Sequence, residues 1–534
     1  MTAIKIHKRA LYISIIGIIY FLLEFYIACH SDGNHPYHFV IQTCLLPLLF
    51  FNFGRIGSMC LNTTFVVLLV SNFYIARLCQ VVTGNTLDAI MGTNRHLTIS
   101  MMGTVPWPAY VAAAFMLAAV AVLSWRLGRW DRRAVMIAMV PLVLTGAYNT
   151  WKLYATWPFR TAQWNDIGGL DYIAANLRDH SPGVVGNATY FIIMTAERAV
   201  DKRFVVRPHP NTDPQVTGRH PGRVHNIIFV MGESSLASRY GIYGYDRQDT
   251  TPNLRNMQAR KQICVLEKAH SNANLTRYAV PMTFSFQIPE IREKLFQEKN
   301  LIEMAGENGY KTFWIASQPG EGPYARPYGY LSEYSDYTTR QDYNNEINGV
   351  NWKDESIMPV LADKLRDPAP YKLYVVHIMG NHQQYSDKAT SDDIAALPHA
   401  DAYDQSIHHT DEFVRRIMAM AASQLGDYTL IYTSDHGEVV GMGHGYQYAG
   451  YDQYIIPMII HDTNGVGNYC DMAEQMRNRD GYYTSIMNKY LLLDMLGYDV
   501  DPAAMDAVRN KDHVLHSDSK IYDYSNLPTE RNRH

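Results

Sequence analysis

The 534-residue sequence predicts two parts: a helical membrane domain of about five spans, then an α/β domain built on a mainly parallel sheet. Three observations carry this. Long apolar runs fill residues 1–155. Beyond residue 224, short apolar runs alternate with helical patterns. Carboxylates and imidazoles follow directly on those short runs. The domains are therefore placed at 1–155, 156–223 (a linker) and 224–534.

The apolar runs are Ala10–Cys29, Phe39–Phe53, Met59–Cys79, Pro106–Trp125 and Val135–Trp151. Each approaches the ~20 residues that cross a bilayer, the second being short. The second and third could instead form a tight hairpin around Gly54–Ser58. A cleaved signal peptide fits the first run poorly, because more spans follow and no small-residue cleavage site stands out. Lys5, Lys8 and Arg9 precede span one, Arg55 follows span two, and Arg126, Arg129, Arg132 and Arg133 follow span four. The opposite loops carry little positive charge apart from Arg95. The positive-inside rule then puts the N-terminus in the cytoplasm and everything after Trp151 outside. Trp107, Trp125, Trp130 and Trp151 fall at span ends, where interfacial aromatics sit.

Asn187–Phe204 reads either as an amphipathic helix on the membrane surface or as an ordinary core helix. A polar stretch with several prolines, Arg207–Arg223, follows. Strands are expected at 225–232, 310–317, 372–380, 428–434 and 453–461. Helices are expected near Asn300–Asn308, Lys353–Leu365, Asp401–Ala422 and Tyr482–Leu496. Strands alternating with helices give a mainly parallel sheet, and such sheets bind ligands at the carboxyl ends of their strands.

Three of those ends carry chemistry. The first runs into Glu233, the third into Asn381 and His382, the fourth into Asp435 and His436. His444 follows in a glycine-rich loop, where Gly437, Gly441, Gly443 and Gly445 allow tight turns. A Glu, an Asp and imidazoles suit a zinc-type divalent ion. Each residue alone has a bland reading as a turn or cap residue; their joint occurrence at successive strand ends does not. The stretch 269–286 offers a nucleophile, since Thr276 lies near a helix start that favours anions. On residue type alone Thr276, Ser271, Ser234 and Ser235 all remain open, and a plain N-cap role is the alternative.

The net charge of −4 gives no polyanion-binding surface, so nucleic acid is not an expected partner. Of six cysteines only Cys264 and Cys470 fall in the polar part, which allows at most one disulfide there.

Taken together, the motifs resemble those of the bacterial phosphoethanolamine transferases, membrane members of the alkaline phosphatase and sulfatase superfamily. GESSLASRYGIYGYDRQDTTPNL (232–254), LTRYAVPMTFS (275–285), HIMGNHQQYS (377–386), YDQSIHHTDEFV (403–414) and SDHGE (434–438) occur in the family's order. The resemblance implies an inner-membrane, multi-pass enzyme with an alkaline-phosphatase/sulfatase-like catalytic domain in the periplasm. Glu233, Thr276, Asp435 and His436 would hold a zinc ion, with a second ion possible. Thr276 would be the nucleophile and carry the phosphoethanolamine. His382 and His444 would bind the phosphoryl group or a second zinc, or protonate the leaving group. Gln80 and Asp88 have the spacing of a donor-headgroup pair in the lipid A branch, changed in residue type. The donor would be phosphatidylethanolamine. The acceptor would be an envelope glycan, lipopolysaccharide core or lipid A. SNANL stands where the lipid A branch has Cys-Gly-Thr, and the loop SQPGEGPYARP lacks that branch's lysine, so the acceptor stays open. Phosphoglycerol transfer and an inactive membrane scaffold are the alternatives. Sulfate-ester chemistry is disfavoured, because the nearest approach to a formylglycine motif, at Ser317, lacks the arginine.

Overall fold

A computed structural model describes residues 2–30, 38–78, 106–127, 181–200, 203–318, 322–339, 353–446, 450–463, 468–517 and 519–528, with a few isolated positions besides. It divides into two units, Met1–Asp201 and Lys202–His534.

In the first unit, α1 (Thr2–His30), α3 (Gly54–Leu78) and α4 (Trp107–Leu127) each contain a stretch long and apolar enough to cross a membrane. The second expected span is different. Helix α2 (His38–Phe50) has 13 residues, about 20 Å at 1.5 Å per residue, against a hydrocarbon core of ~30 Å. A single 3₁₀ turn, Phe51–Phe53, then separates it from α3, whose first residue Gly54 takes φ +73°. The fifth expected span, Val135–Trp151, falls mostly outside the described residues, as do Gln80 and Asp88. Ile16, Tyr20, Leu23 and Ile27 recur every three or four residues along α1 and pack with Phe65, Val66 and Leu69 of α3 and Val120 of α4. The Tyr20 hydroxyl donates to Asn62 Oδ1 at 2.9 Å, which satisfies a polar pair inside that apolar packing. Helix α5 (Gly183–Val200) covers most of the stretch with two readings and buries Val184, Tyr190 and Met194.

The second unit is built on a seven-stranded sheet. Its strands are β1 (Asn226–Gly232), β2 (Cys264–Val265), β3 (Lys311–Ala316), β4 (Tyr337–Thr338), β5 (Lys372–His377), β6 (Thr429–Ser434) and β7 (Met458–Asp462). Their spatial order is β2-β7-β6-β1-β5-β3-β4. The sheet is mixed: β6, β1, β5, β3 and β4 run parallel, whereas β7 is antiparallel to both β6 and β2. Both faces are covered, so the central strands read as unbroken apolar runs. Ile227, Phe229, Met231, Trp314 and Val375 point to one core, shared with α6 (Thr276–Phe284) and α7 (Leu301–Glu307). Ile228, Val230, Ile315, Val376 and Tyr432 point to the other, against α8 (Ala402–Gln424). The Asn300 capping box starts α7 as its sequence suggests.

Several expected elements are shorter than their patterns; the run 372–380, for one, is strand only to His377. The run 453–461 becomes strand only from Met458, after a 3₁₀ turn at Tyr451–Gln453 and Pro457. The helix expected from Lys353 starts at Met358, after a 3₁₀ turn. That expected from Tyr482 starts at Asn488. Cys264 on edge strand β2 is joined to Cys470 by a disulfide.

Candidate active site

The parallel strands deliver their C-terminal ends to one rim. β1 is followed by Glu233, β3 by Ser317 and Gln318, β5 by the turn leading to His382, and β6 by Asp435 and His436. Ser234 holds a left-handed backbone (φ +56°), a conformation costly for a side chain other than glycine. Its amide donates to Asp435 Oδ1 at 3.2 Å and its hydroxyl to Glu233 Oε1 at 2.9 Å. The strained residue thus ties two carboxylates from adjacent strands together. Gly437 must be glycine, because a Cβ there would lie 2.1 Å from the Asp452 carbonyl oxygen.

Glu233, Asp435, His436 and Thr276 converge. All four are buried. His436 Nδ1 lies 2.8 Å from the Gly437 carbonyl oxygen, an acceptor only, so Nδ1 carries a proton. Nε2 then faces Glu233 Oε1 at 3.2 Å, Asp435 Oδ2 at 3.3 Å and Thr276 Oγ1 at 3.4 Å. Thr276 Oγ1 also lies 3.1 Å from Glu233 Oε2. Asp435 Oδ2 is buried without a hydrogen-bond partner among the described residues.

Burial and the Glu233 charge push the Asp435 carboxyl up to about 8. His436 is pushed up to about 10 by Asp435 and Glu233, against its burial. Two carboxylates in a water-excluding space are demanding a positive charge. A divalent cation meets that demand. The donor set of two carboxylates, one imidazole and one hydroxyl, with an orphaned carboxylate oxygen, fits one. Glu233, Asp435 and His436 offer ligand atoms that all lie within 4.8 Å of one another.

A second group within the same spacing comprises Glu233, His382 and His444. His444 Nδ1 sits 2.8 Å from Glu438 Oε2, and Tyr385 donates its hydroxyl to Glu438 Oε1 at 2.5 Å. That leaves His444 Nε2 without a hydrogen-bond partner among the described residues. Its ring lies 4.0 Å from that of His436 and 5.3 Å from that of His382.

The nucleophile candidates separate by their partners. Ser271 donates to the Asp435 carbonyl and Ser235 to Asn381 Oδ1, so both hydroxyls are spent on the scaffold. Ser234 is the tie just described. Leu275 occupies the N-cap of α6 and no side chain caps that helix, so Thr276 is its first residue and not its cap. Its hydroxyl, at a helix N-terminus, contacts Glu233 Oε2 and His436 Nε2, so it is turned to the candidate ligands and not to the scaffold.

Residue-type reasoning missed two side chains. Gln318 Nε2 donates to Glu233 Oε2 at 2.7 Å and to the Ile378 carbonyl at 3.1 Å. It follows β3, so the strand-end rule could have found it. Glu438 lies inside SDHGE, and only the fold shows that it serves His444. The helical motif 403–414 supports the rim from behind. Tyr403 donates to the Ser234 carbonyl at 2.6 Å and accepts from Leu236 N at 2.9 Å. Ser406 and Thr410 accept from Asn381 Nδ2 at 2.9 and 3.3 Å. Asp411 accepts from the amides of Asn253 and Leu254, both at 2.9 Å, at the start of the TPNL helix.

Relatives share this framework. YhbX of Escherichia coli K12 is 25% identical over 338 residues, 60% of this chain and 59% of that protein. The phosphoethanolamine transferase OpgE of the same strain is 21% identical over 356 residues, 66% and 64% of the two chains. The chain therefore spans less than two thirds of the length of these curated relatives. Among solved structures, the integral membrane lipooligosaccharide phosphoethanolamine transferase A of Neisseria meningitidis superposes with a TM-score of 0.54 at 16% identity, over 94% of this chain and 99% of that one. The zinc complex of the C-terminal periplasmic domain of EptC from Escherichia coli gives 0.50 at 20% identity, over 59% and 97%. These likenesses establish the shared fold. The sulfatase family model matches residues 225–498, which is more than half of the chain and includes all seven strands and every site residue described above, so this chain belongs to the sulfatase family.

Proposed function

We propose that this protein is a zinc-dependent phosphoethanolamine transferase of the bacterial inner membrane. In this reading it takes phosphoethanolamine from phosphatidylethanolamine and passes it to an envelope glycan or lipopolysaccharide acceptor. The observation that carries the reading is Thr276. Its buried hydroxyl stands at a helix N-terminus, 3.1 Å from a Glu233 oxygen and beside the orphaned Asp435 Oδ2. The names of the relatives, several of them phosphoethanolamine transferases, supply the transferred group.

Glu233, Asp435, His436 and Thr276 would hold zinc, which supplies a lowered hydroxyl pKa and charge stabilisation for the phosphoryl oxygens. Glu233 Oε2 is placed to receive the Thr276 proton. Thr276 Oγ1 then attacks phosphorus. An O–P bond forms to Thr276, the P–O bond to diacylglycerol breaks, and the departing alkoxide takes a proton from His382 or His444. In the second half an acceptor hydroxyl loses its proton to the same imidazole and attacks phosphorus, the O–P bond to Thr276 breaks, and Thr276 Oγ1 takes its proton back from Glu233. The backbone amides at the start of α6 favour the anionic phosphoryl group throughout. A catalytic unit facing the periplasm would put this chemistry beside the outer leaflet that holds the donor.

The test is mass analysis of the full chain after incubation with phosphatidylethanolamine, with Thr276→Ala alongside. A phosphoethanolamine adduct on the Thr276 peptide, absent from the variant, is expected. An adduct formed from phosphatidylglycerol instead would replace the donor with the phosphoglycerol alternative. Zinc-loaded protein that forms no adduct with either lipid would remove Thr276 as nucleophile.

A further inference from the structure

Asp354 belongs to none of the strand ends and to no motif of the site, yet it is buried against the rim. Its Oδ1 accepts from the Ser317 hydroxyl at 2.5 Å and from the Met379 amide at 2.8 Å. Its Oδ2 accepts from the Gly380 amide at 2.9 Å. Two consecutive amides and a hydroxyl thus converge on one carboxylate, a small anion-binding nest occupied by the protein's own side chain.

The turn held in this way is the one that delivers His382. Gly380 takes φ +44°, and a Cβ there would lie 2.9 Å from the Glu233 carbonyl oxygen. The Asn381 amide donates to that carbonyl at 2.9 Å, and the His382 amide to the Met379 carbonyl at 3.1 Å. The turn is therefore clasped between Asp354 on one side and the Glu233 backbone on the other. Ser317 also precedes Gln318, whose amide holds Glu233 Oε2. One carboxylate links the ends of β3 and β5 to the residue that both candidate ligand groups share.

We propose that Asp354 is a positioning residue of this centre, setting the 379–382 turn so that His382 meets Glu233. This rests on the functional reading above for its kinetic consequence and on geometry alone for the clasp. Asp354→Asn keeps the shape but turns an amide donor toward amide donors. In the full-length protein, hydrogen exchange across 378–388 should rise about tenfold in this variant while β1 and β6 keep their protection. The rate of Thr276 adduct formation should fall ~10–100-fold, the usual cost of losing a partner one shell behind a ligand. In a double-mutant cycle, Asp354→Asn should add less than about twofold to the loss caused by His382→Ala. A merely structural role would give additive losses instead. Ser317→Ala, which removes one donor and leaves the carboxylate, should move both readouts in the same direction by less and serves if Asp354→Asn does not fold. Unchanged exchange at 378–388 would overturn the clasp, and additive losses would overturn its coupling to His382. If the unmodified chain forms no adduct with phosphatidylethanolamine, the functional reading fails, and the exchange experiment still decides the clasp.

Discussion

At the scale of single residues, Glu233 is the hinge of the site, because both groups of candidate ligands include it. Burial would raise its pKa, but the imidazoles of His436, His382 and His444 outweigh that and hold it well below the usual carboxylate range. Its Oε2 is oriented by Gln318, which is nearly buried. Gln318→Ala should therefore slow Thr276 adduct formation ~10–100-fold, as loss of an orienting partner does. Gln318→Glu should be worse, since it sets a third carboxylate beside the first; adduct rate and zinc content of the two variants check this. Legibility follows the same logic. Glu233, Asp435 and His436 were visible because each directly follows an apolar strand. Thr276 could be separated from Ser271, Ser234 and Ser235 by residue type only through family resemblance, because the distinction lies in what each hydroxyl already bonds. Asp354 was invisible as a site residue, and Glu438 stood in SDHGE without a role, since their partners lie 25 residues away or around a glycine loop. No local pattern records such pairings.

At the scale of elements, the parallel core of the sheet was readable from unbroken apolar runs, and α8 from its 3-4 spacing. The direction of β7 was not, because antiparallel pairing depends on how the chain returns and not on the strand's own residues. The membrane runs show the same limit: the second run reads as a short span or as half of a hairpin around Gly54–Ser58, and its 13-residue helix and the break before α3 show that it is shorter than a span. A polar cluster joins α8 to its neighbour Ser391–Ala396. Asp393 accepts from His408 Nδ1 at 2.7 Å and His409 Nδ1 at 3.0 Å, and closes a capping box with Thr390. Its carboxyl is lowered, since these hydrogen bonds outweigh burial. Its contribution to stability is present above about pH 4 and fades as pH falls through the lowered folded value. His408 is raised by its bond to Asp393, and His409 is raised by the same carboxylate despite burial. Their contribution is complete below about pH 6.5 and is lost as pH rises through the raised values. The cluster should thus stabilise most between about pH 4 and 6.5. Asp393→Asn should cost about 2 kcal/mol at pH 5.5 and less at pH 8.5, measured by denaturant unfolding at both.

At the scale of the whole molecule, composition divides the chain into an apolar and a mixed part, and the structure divides at Asp201. Which compartment receives the second part is a separate matter, and the disulfide bears on it. Cys264 lies on edge strand β2, and Cys470 lies in the short helix Tyr469–Gln475. The bond ties segments 206 residues apart. Such bonds persist in oxidising compartments and are rare in the cytosol. On the five-span reading, the positive-inside rule would also put the second unit outside, so the disulfide and the charge pattern give one expectation to test. In intact cells treated with a permeant alkylating agent, Cys264 and Cys470 should stay unmodified until a reductant is added. Alkylation of both without reductant would contradict the outward placement, and with it access to an outer-leaflet donor. The bond should also matter energetically. Joining distant segments restricts the unfolded chain, and loss of a native disulfide typically costs about 2–5 kcal/mol. The double variant Cys264→Ser/Cys470→Ser should lower the unfolding free energy of the second unit by that amount, read as a shift in denaturant midpoint. Because the bond lies on edge strand β2, with β7 between it and β6, and level with Ile431 and not with the rim, the variant that remains folded should keep its Thr276 adduct rate. A fall in that rate equal to the fall caused by Gln318→Ala would mean that the edge and the site are coupled through the sheet.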